Sequence, residues 1–449
     1  MLATLSCTCL LANTGSQLVN WLAGLSKSTG TPAPATISAL KKNPTQTSPF
    51  ANVTSPVPEI SPSPPYPHAN PSPTNEVDHP EIISTLEQTQ QTFENNPPLL
   101  FDPFDIAARL NGQYELPRQL NGLPLRYQLG QQKTFWVTDN DTSTNFQVEA
   151  TLHYETEHVY FWIDNRVSDF SPSDLKKLAE TFESHIYPNT RAFFGSEWTP
   201  GVDNDPHLYI LYAKGIGRSV AGYFSSVDSY LPIVREYANG HEMFLLSADI
   251  LELDEEYTYG VLAHEFQHMI HWYTDRNEET WLNEGLSNLA MLINGYSAGQ
   301  SERAYLSAPD LQLNYWSTQN NNRTANYGSA FLFSAYILDR LGEDFTQALV
   351  AHPANGMISL DQVLAEKGVQ DPINGVTLDA DDIFRDWVLA SWLQDKRVED
   401  GRYAFPSLPR LPKPPAAETV RTCPATLTSQ DVSQYGVDYI RIRCKGDYT

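Results

Sequence analysis

The segment HEFQH, residues 264–268, decides the fold of this chain because it sets two histidines four positions apart within a helical pattern. On an α-helix, positions i and i+4 differ by roughly 40° in direction and about 6 Å in rise, so both imidazoles project from one face. Two neutral imidazoles at this spacing can share one tetrahedral ion, for which Zn²⁺ is well suited. Apolar residues at helical spacing predict a helix over Glu256–Tyr273. The alternative is a core helix whose histidines are only satisfied polar groups.

Glu265 follows the first histidine directly and is poorly placed to be a third ligand of the same ion. Its carboxylate can instead hydrogen-bond a water molecule on the metal, whose pKa the ion lowers to about 7. We therefore predict that Glu265 is a general base, which accepts the proton of this water during attack on a carbonyl.

A third ligand is expected on the next predicted helix, Glu279–Asn294, within the segment WLNEGLSN at residues 281–288. A short polar connection joins the two helices, and antiparallel helices joined in this way bring Glu284 back toward the paired imidazoles. The predicted zinc ligands are therefore His264, His268 and Glu284.

Other polar groups near these segments are expected to stay outside the metal site. We predict that His271 is a partly exposed residue that points away from the metal face. Three carboxylates lie in the turn or at the helix start, where surface or capping roles are expected: Asp275, Glu278 and Glu279. With no further Cys or His nearby, the site keeps an open position, which favours catalysis over a closed structural site.

HEFQH followed by TWLNEGLS resembles the gluzincin clan of metallopeptidases, in which a glutamate on the helix after HExxH completes the zinc site. Within this clan, the wording HEFQHM and WLNEGLS is most similar to the hyicolysin-like peptidases. The resemblance implies a zincin-like domain, zinc as cofactor and a peptide or protein substrate. WLNEG also resembles the zinc aminopeptidases of the membrane alanyl type. However, the 15 residues between His268 and Glu284 are fewer than in those aminopeptidases, and their GxMEN signature is absent. Both departures favour an endopeptidase.

The same resemblance implies two roles outside the ligand set. Asn288 stands one turn after the glutamate, where thermolysin-like gluzincins carry an Asp that orients a zinc-binding histidine, so Asn288 is a candidate for that role. An exposed polar residue is the alternative. A donor to the oxyanion of the tetrahedral intermediate is also expected. Tyr327 is the candidate, and His352 and Tyr273 are its rivals.

The rest of the chain predicts an α+β fold, with a mixed sheet followed by a helical part that carries the HExxH helix. Alternating or aromatic runs predict strands at Thr134–Thr138, Phe146–His153, Val159–Asp164, Leu208–Tyr212 and Glu242–Ser247. Further helices are predicted at 172–187, with Ser171 as N-cap and Pro188 as terminator, at Tyr327–Leu341 and at Ala380–Leu393. Met243–Leu246 is a candidate edge strand for pairing with substrate, and an ordinary core strand is the alternative.

Composition divides the chain into four predicted parts. Residues 1–30 form an N-terminal segment whose apolar start fits either the remnant of a signal peptide or an ordinary terminus. Residues 31–98 are rich in Pro, Ser and Thr, and too few are apolar to offset the entropy of ordering, so a disordered linker is predicted. Residues 99–405 form the predicted zinc metallopeptidase domain. Residues 406–449 hold a Pro-rich linker and the start of a small or truncated β-rich module.

Charge and composition limit the partners. A formal charge of −25 argues against nucleic acid, because phosphate binding needs basic patches. No run of about 20 apolar residues occurs, so no membrane span is expected. Cys423 and Cys444 can pair in an oxidising compartment or stay unpaired. The long linker favours a secreted or cell-envelope protein. It also suits a rival hypothesis, an envelope-anchored binding or adhesion protein whose metal is structural or absent.

Overall fold

The computed structural model describes residues 6–10 (backbone only), 88, 102–316, 323–425 and 431–444. The chain divides into two units. The first unit, residues 1–18 and 102–449, contains all the strands and helices named below. The second unit, residues 19–101, includes the whole predicted linker, which lies outside the described residues except for Gln88.

A mixed seven-stranded sheet forms within the described residues, and it confirms the predicted α+β class. Its strands are β1 (Ser6–Leu10), β2 (Gln132–Asp139), β3 (Thr144–Glu155), β4 (Val159–Asp164), β5 (Leu208–Ala213), β6 (Val220–Ser225) and β7 (Met243–Ser247). Their order is β1-β6-β7-β5-β4-β3-β2. The pairs β4–β5 and β5–β7 are parallel, and the other pairs are antiparallel. Five strands match predicted ones, whereas β1 and β6 were not predicted.

The central strands are continuous apolar runs because both faces of the sheet are buried. On β4, Val159, Phe161 and Ile163 belong to the core shared with the helices, while Tyr160 and Trp162 belong to a second, smaller core. Strands β5 and β7 alternate between the two cores in the same way.

Of the two alternatives for Met243–Leu246, the ordinary core strand is confirmed and the edge strand is wrong. These residues belong to β7, which lies between β5 and β6 and is hydrogen-bonded to both. A strand paired on both sides has used its backbone groups and cannot add a substrate strand. Its unbroken burial is typical of the core strand that was the alternative.

Ten helices are described, most of them after the sheet. They are α1 (Pro103–Leu110), α2 (Pro172–Thr181), α3 (Tyr187–Phe194), α4 (Glu256–Thr274), α5 (Thr280–Ile293), α6 (Ser301–Ser307), α7 (Arg323–Leu341), α8 (Glu343–Val350), α9 (Gly356–Glu366) and α10 (Ala380–Leu393). Helices α4, α5, α7 and α10 match the predictions to within four residues at either end. None of the described helices is long and apolar enough to cross a bilayer.

Helix α2 begins as predicted, with Ser171 Oγ accepting the Asp174 N–H, but the prediction that Pro188 ends it is wrong. A π-helical turn at Phe182–Ile186 leads directly into α3, and Pro188 lies in the first turn of α3. Proline is tolerated there because N–H groups in a first turn need no helical acceptor.

The segment after α10, predicted as a linker, lies against the helical part of the first unit. Leu408 and Leu411 pack against its core, and Ser407 Oγ donates to Asp339 Oδ2 at 2.8 Å. Beyond it, β8 (Glu418–Val420) and β9 (Ile440–Ile442) form a parallel two-stranded sheet. A disulfide joins Cys423 to Cys444, which decides between the two states that the sequence left open.

Candidate metal centre

Helix α4 holds HEFQH in the interior, since all its residues from Thr258 to Trp272 are buried. The helix approaches the sheet closely at Gly222 of β6. A Cβ atom on Gly222 would lie 2.8 Å from Val261 Cγ1 and 3.3 Å from Glu265 Cγ. Glycine at this position therefore lets the helix pack against the sheet, and it fixes where the Glu265 side chain begins.

Helix α5 lies between α4 and α7, and a second glycine sets its distance from α7. A Cβ atom on Gly285 would lie 2.6 Å from the carbonyl oxygen of Ala330 and 2.5 Å from Ser334 Oγ, both on α7. Because this backbone contact leaves no room for a side chain, α5 is held tightly by α7 while Glu284 reaches across to α4.

The structure brings the three predicted ligands together in what we call the first cluster: His264, His268 and Glu284. The two Nε2 atoms are 2.9 Å apart, and Glu284 Oε2 lies 3.3 Å from His264 Nε2 and 3.5 Å from His268 Nε2. Ligands about 2.0–2.1 Å from a tetrahedral zinc ion are separated by about 3.4 Å, so these spacings suit one such ion. None of the three residues is more than 2% exposed.

The tautomers of both imidazoles follow from the partners of Nδ1. Asn288 Oδ1 lies 3.1 Å from His264 Nδ1, and Asn283 Oδ1 lies 2.6 Å from His268 Nδ1. An amide oxygen can only accept, so each Nδ1 carries the proton and each Nε2 presents a lone pair. Two lone pairs and a carboxylate oxygen thus face one another, an arrangement that repels itself unless a cation lies between them. The residues therefore fit a zinc ion.

The pKa shifts of His264 and Glu284 suit metal binding as well. Burial, and then the neighbouring His268, lower the pKa of His264, which keeps this imidazole neutral. Burial opposes ionisation of Glu284, but the nearby His268 and His264 outweigh it and lower the pKa of Glu284 to about 2. Neutral imidazole and ionised carboxylate are the forms that bind Zn²⁺.

Sequence reasoning missed Asn283 and Ser287 as partners of His268. Ser287 Oγ lies 2.8 Å from His268 Nδ1 and donates its own proton to Gln267 Oε1. A signal was present in the sequence, since Asn283 and Ser287 are four positions apart on α5 and therefore share the face beside Glu284.

Of the three candidate oxyanion donors, the structure places Tyr327 at the first cluster. Tyr327 is buried, and its Oη donates to Glu284 Oε1 at 3.2 Å. His352 instead accepts the Ala354 N–H through Nδ1 at 3.1 Å. Tyr273 is 43% exposed and stacks on Trp198 at the surface.

The prediction that His271 is partly exposed is wrong, since it is 1% exposed, and Asp275 and Glu278 are also buried, at 7% and 4% exposed. Of the two roles expected for the carboxylates, the surface role is therefore wrong, whereas Glu278 Oε1 does accept the N–H of Gly356 at the start of α9, as a capping group would. His271 follows His264 by seven residues, two helical turns, and so lies on nearly the same face of α4. Asn283 Nδ2 donates to His271 Nδ1 at 3.0 Å. Burial, and then His268, lower the pKa of His271 to about 3, so this imidazole is neutral.

His271, Asp275 and Glu278 form what we call the second cluster. Glu279 is exposed, as expected.

Two histidines one helical turn apart and a glutamate from the adjacent helix are a ligand set used by catalytic zinc sites of metal-dependent hydrolases. A comparison with curated proteins supports the same class. The chain is similar to the neutral metalloprotease ShpI of Staphylococcus hyicus, with 25% identity over 263 residues. The match covers 52% of this chain, and the chain spans 57% of the length of that relative. No family model matches the chain.

Proposed function

We propose that this chain is a zinc-dependent peptidase of the gluzincin type, with hyicolysin-like character and a zincin-like domain. The observation that carries the proposal is the buried first cluster, in which two Nε2 lone pairs and a carboxylate oxygen converge within 3.5 Å. The similarity to a neutral metalloprotease supports peptide or protein substrates.

Each residue of the site has a separate task. A zinc ion held by His264, His268 and Glu284 would polarise the scissile carbonyl and acidify the attacking water. Glu265, on α4 next to the first ligand, accepts a proton of that water at its carboxylate and passes it to the leaving amine. Tyr327, whose Oη lies against Glu284, is the residue proposed to donate to the oxyanion.

An endopeptidase agrees better with the structure than an aminopeptidase. The string closest to the missing exopeptidase signature is Gly240–Phe244, and its glutamate is Glu242. Glu242 is 2% exposed, and its Oε2 accepts the Val202 N–H at 2.9 Å. Because this carboxylate is buried and accepts a backbone hydrogen bond, it is not available to bind the amino terminus of a peptide.

We further propose a secreted or cell-envelope location. Disulfides form and persist in oxidising compartments and are rare in the cytosol. The disulfide between Cys423 and Cys444 supports this location, and it also ties the β8–β9 sheet together close to its ends.

Glu265→Gln tests the proposed function. We expect this variant to keep its fold and bound zinc but to lose peptide hydrolysis by at least about 10²–10⁴-fold, because an amide cannot accept the proton. Digestion of a peptide library, with zinc content measured on the same sample, gives both readouts. Glu256→Gln is the matched control, since Glu256 lies on α4 as well but is exposed in its first turn. A Glu265→Gln variant as active as this control would refute the assigned base.

A further inference from the structure

The second cluster looks like another metal site by composition, and its interior atoms lack partners. A ring nitrogen of His271 and one carboxyl oxygen each of Asp275 and Glu278 lie within 4.8 Å of one another. His271 Nε2, Asp275 Oδ2 and Glu278 Oε2 are buried without a hydrogen-bond partner. The other carboxyl oxygens are engaged, since Asp275 Oδ1 accepts the Asn277 N–H and Glu278 Oε1 accepts the Gly356 N–H.

The proton on His271 can be located from the first cluster. Zinc binding through Nε2 requires His268 to hold its proton on Nδ1, which lies 2.6 Å from Asn283 Oδ1. The Asn283 amide therefore directs its Nδ2–H group at His271 Nδ1, 3.0 Å away. A ring nitrogen that accepts a hydrogen bond carries no proton, so the neutral His271 ring holds its proton on Nε2. A ring nitrogen of His271 has an oxygen of Asp275 and of Glu278 within 4.8 Å, and an ionised carboxylate at that distance would favour a proton on the ring electrostatically.

We propose that His271 is a positioning residue that fixes the tautomer of His268 through the amide of Asn283. The second cluster holds the His271 proton on Nε2, and the bare Nδ1 then orients the Asn283 amide. The oriented amide turns its oxygen toward His268, which leaves the Nε2 lone pair of His268 directed at the zinc position. This inference rests on the zinc site of the proposed function, and it assigns the second cluster to proton placement instead of a second ion.

The first test measures zinc affinity of the full-length chain by competition with a chelator. We expect His271→Ala to weaken zinc binding about tenfold, because loss of an outer hydrogen-bond partner typically costs 10–100-fold. His271→Gln should recover affinity to within about threefold, since its amide oxygen can accept the Asn283 N–H. Met269→Ala, which also removes a buried side chain from α4, is the control for general loss of stability and should leave the affinity unchanged.

The second test measures the histidine tautomers on the chain without any substitution. Ring ¹⁵N shifts of the ¹⁵N-histidine-labelled chain in its zinc form report the tautomers, with His268→Ala and His271→Ala used only to assign signals. We expect His268 to carry its proton on Nδ1 and His271 on Nε2. A His271 proton on Nδ1, two zinc ions per chain, or equal affinities for His271→Gln and His271→Ala would each overturn the proposal. A chain that binds zinc with these tautomers but cleaves no peptide would instead refute the proposed function alone.

Discussion

The first and second clusters both combine imidazole with carboxyl groups, and their histidines lie on nearly the same face of α4, yet the partners of the ring nitrogens differ. In the first cluster each Nδ1 faces an amide oxygen, but in the second His271 Nδ1 faces an amide N–H. The comparison teaches that the partner of the second ring nitrogen decides whether a histidine offers a lone pair or a proton.

We expect the largest effect when the catalytic rates of two alanine variants are compared, one for a histidine of each cluster. His268→Ala should lower kcat/KM by at least about 10³-fold, since it removes a ligand of an ion that contributes several kcal/mol to transition-state stabilisation. His271→Ala should stay within about tenfold of the wild type when zinc is saturating, because its effect passes through zinc affinity. Initial rates on one peptide substrate measure both. Equal losses for two folded variants would mean that the clusters do not differ in role.

The sequence predicted which residues meet in the first cluster, because helix geometry pairs its two histidines and an adjacent helix supplies its glutamate. A spacing of four residues within an apolar periodic pattern places His264 and His268 together, and a following helix returns Glu284 to them. The same geometry applied over two turns would have placed His271 on the metal-facing stripe, so its burial was available from the sequence. The structure corrects that prediction because packing against α5 buries the whole stripe.

Other features depend on contacts between distant segments and could not be predicted from local patterns. Strand β6 has a glycine where α4 packs against it, so its sequence lacks the alternation of bulky apolar and polar side chains that predicts a strand. The direction of the Asn283 amide depends on two imidazoles of a different helix. The pairing of Cys423 with Cys444 depends on β8 and β9 meeting, which their spacing of 21 residues does not determine.

We expect a smaller effect from the Tyr327 hydroxyl group, which donates to Glu284 of the first cluster. Tyr327→Phe should lower kcat by about 10²–10³-fold with little change in KM, if this Oη stabilises the oxyanion. The engaged carboxyl oxygens of the second cluster, Asp275 Oδ1 and Glu278 Oε1, accept backbone N–H groups instead.

Tyr336→Phe is the matched control for this prediction, because Tyr336 is buried on α7 as well but its Oη donates to the Arg402 carbonyl oxygen at 2.9 Å. We expect Tyr336→Phe to cost about 1 kcal/mol of stability, the typical value of one hydrogen bond, and to leave kcat intact. Matching kcat values for the two variants would remove Tyr327 from the mechanism.

The smallest expected effect is the energetic coupling between the clusters, which a double-mutant cycle on His271 and Asn283 measures. Asn283→Ala should weaken zinc binding only a fewfold, because Ser287 Oγ, 2.8 Å from His268 Nδ1, remains as an acceptor. His271→Ala should be worse, since it frees the amide to turn its N–H toward His268 and favour the wrong tautomer. In the Asn283→Ala background there is no amide to turn, so adding His271→Ala should cost nothing further. The coupling energy should therefore be about 1 kcal/mol, within the range of residues in one network, whereas additive losses would show that His271 acts on zinc by another route.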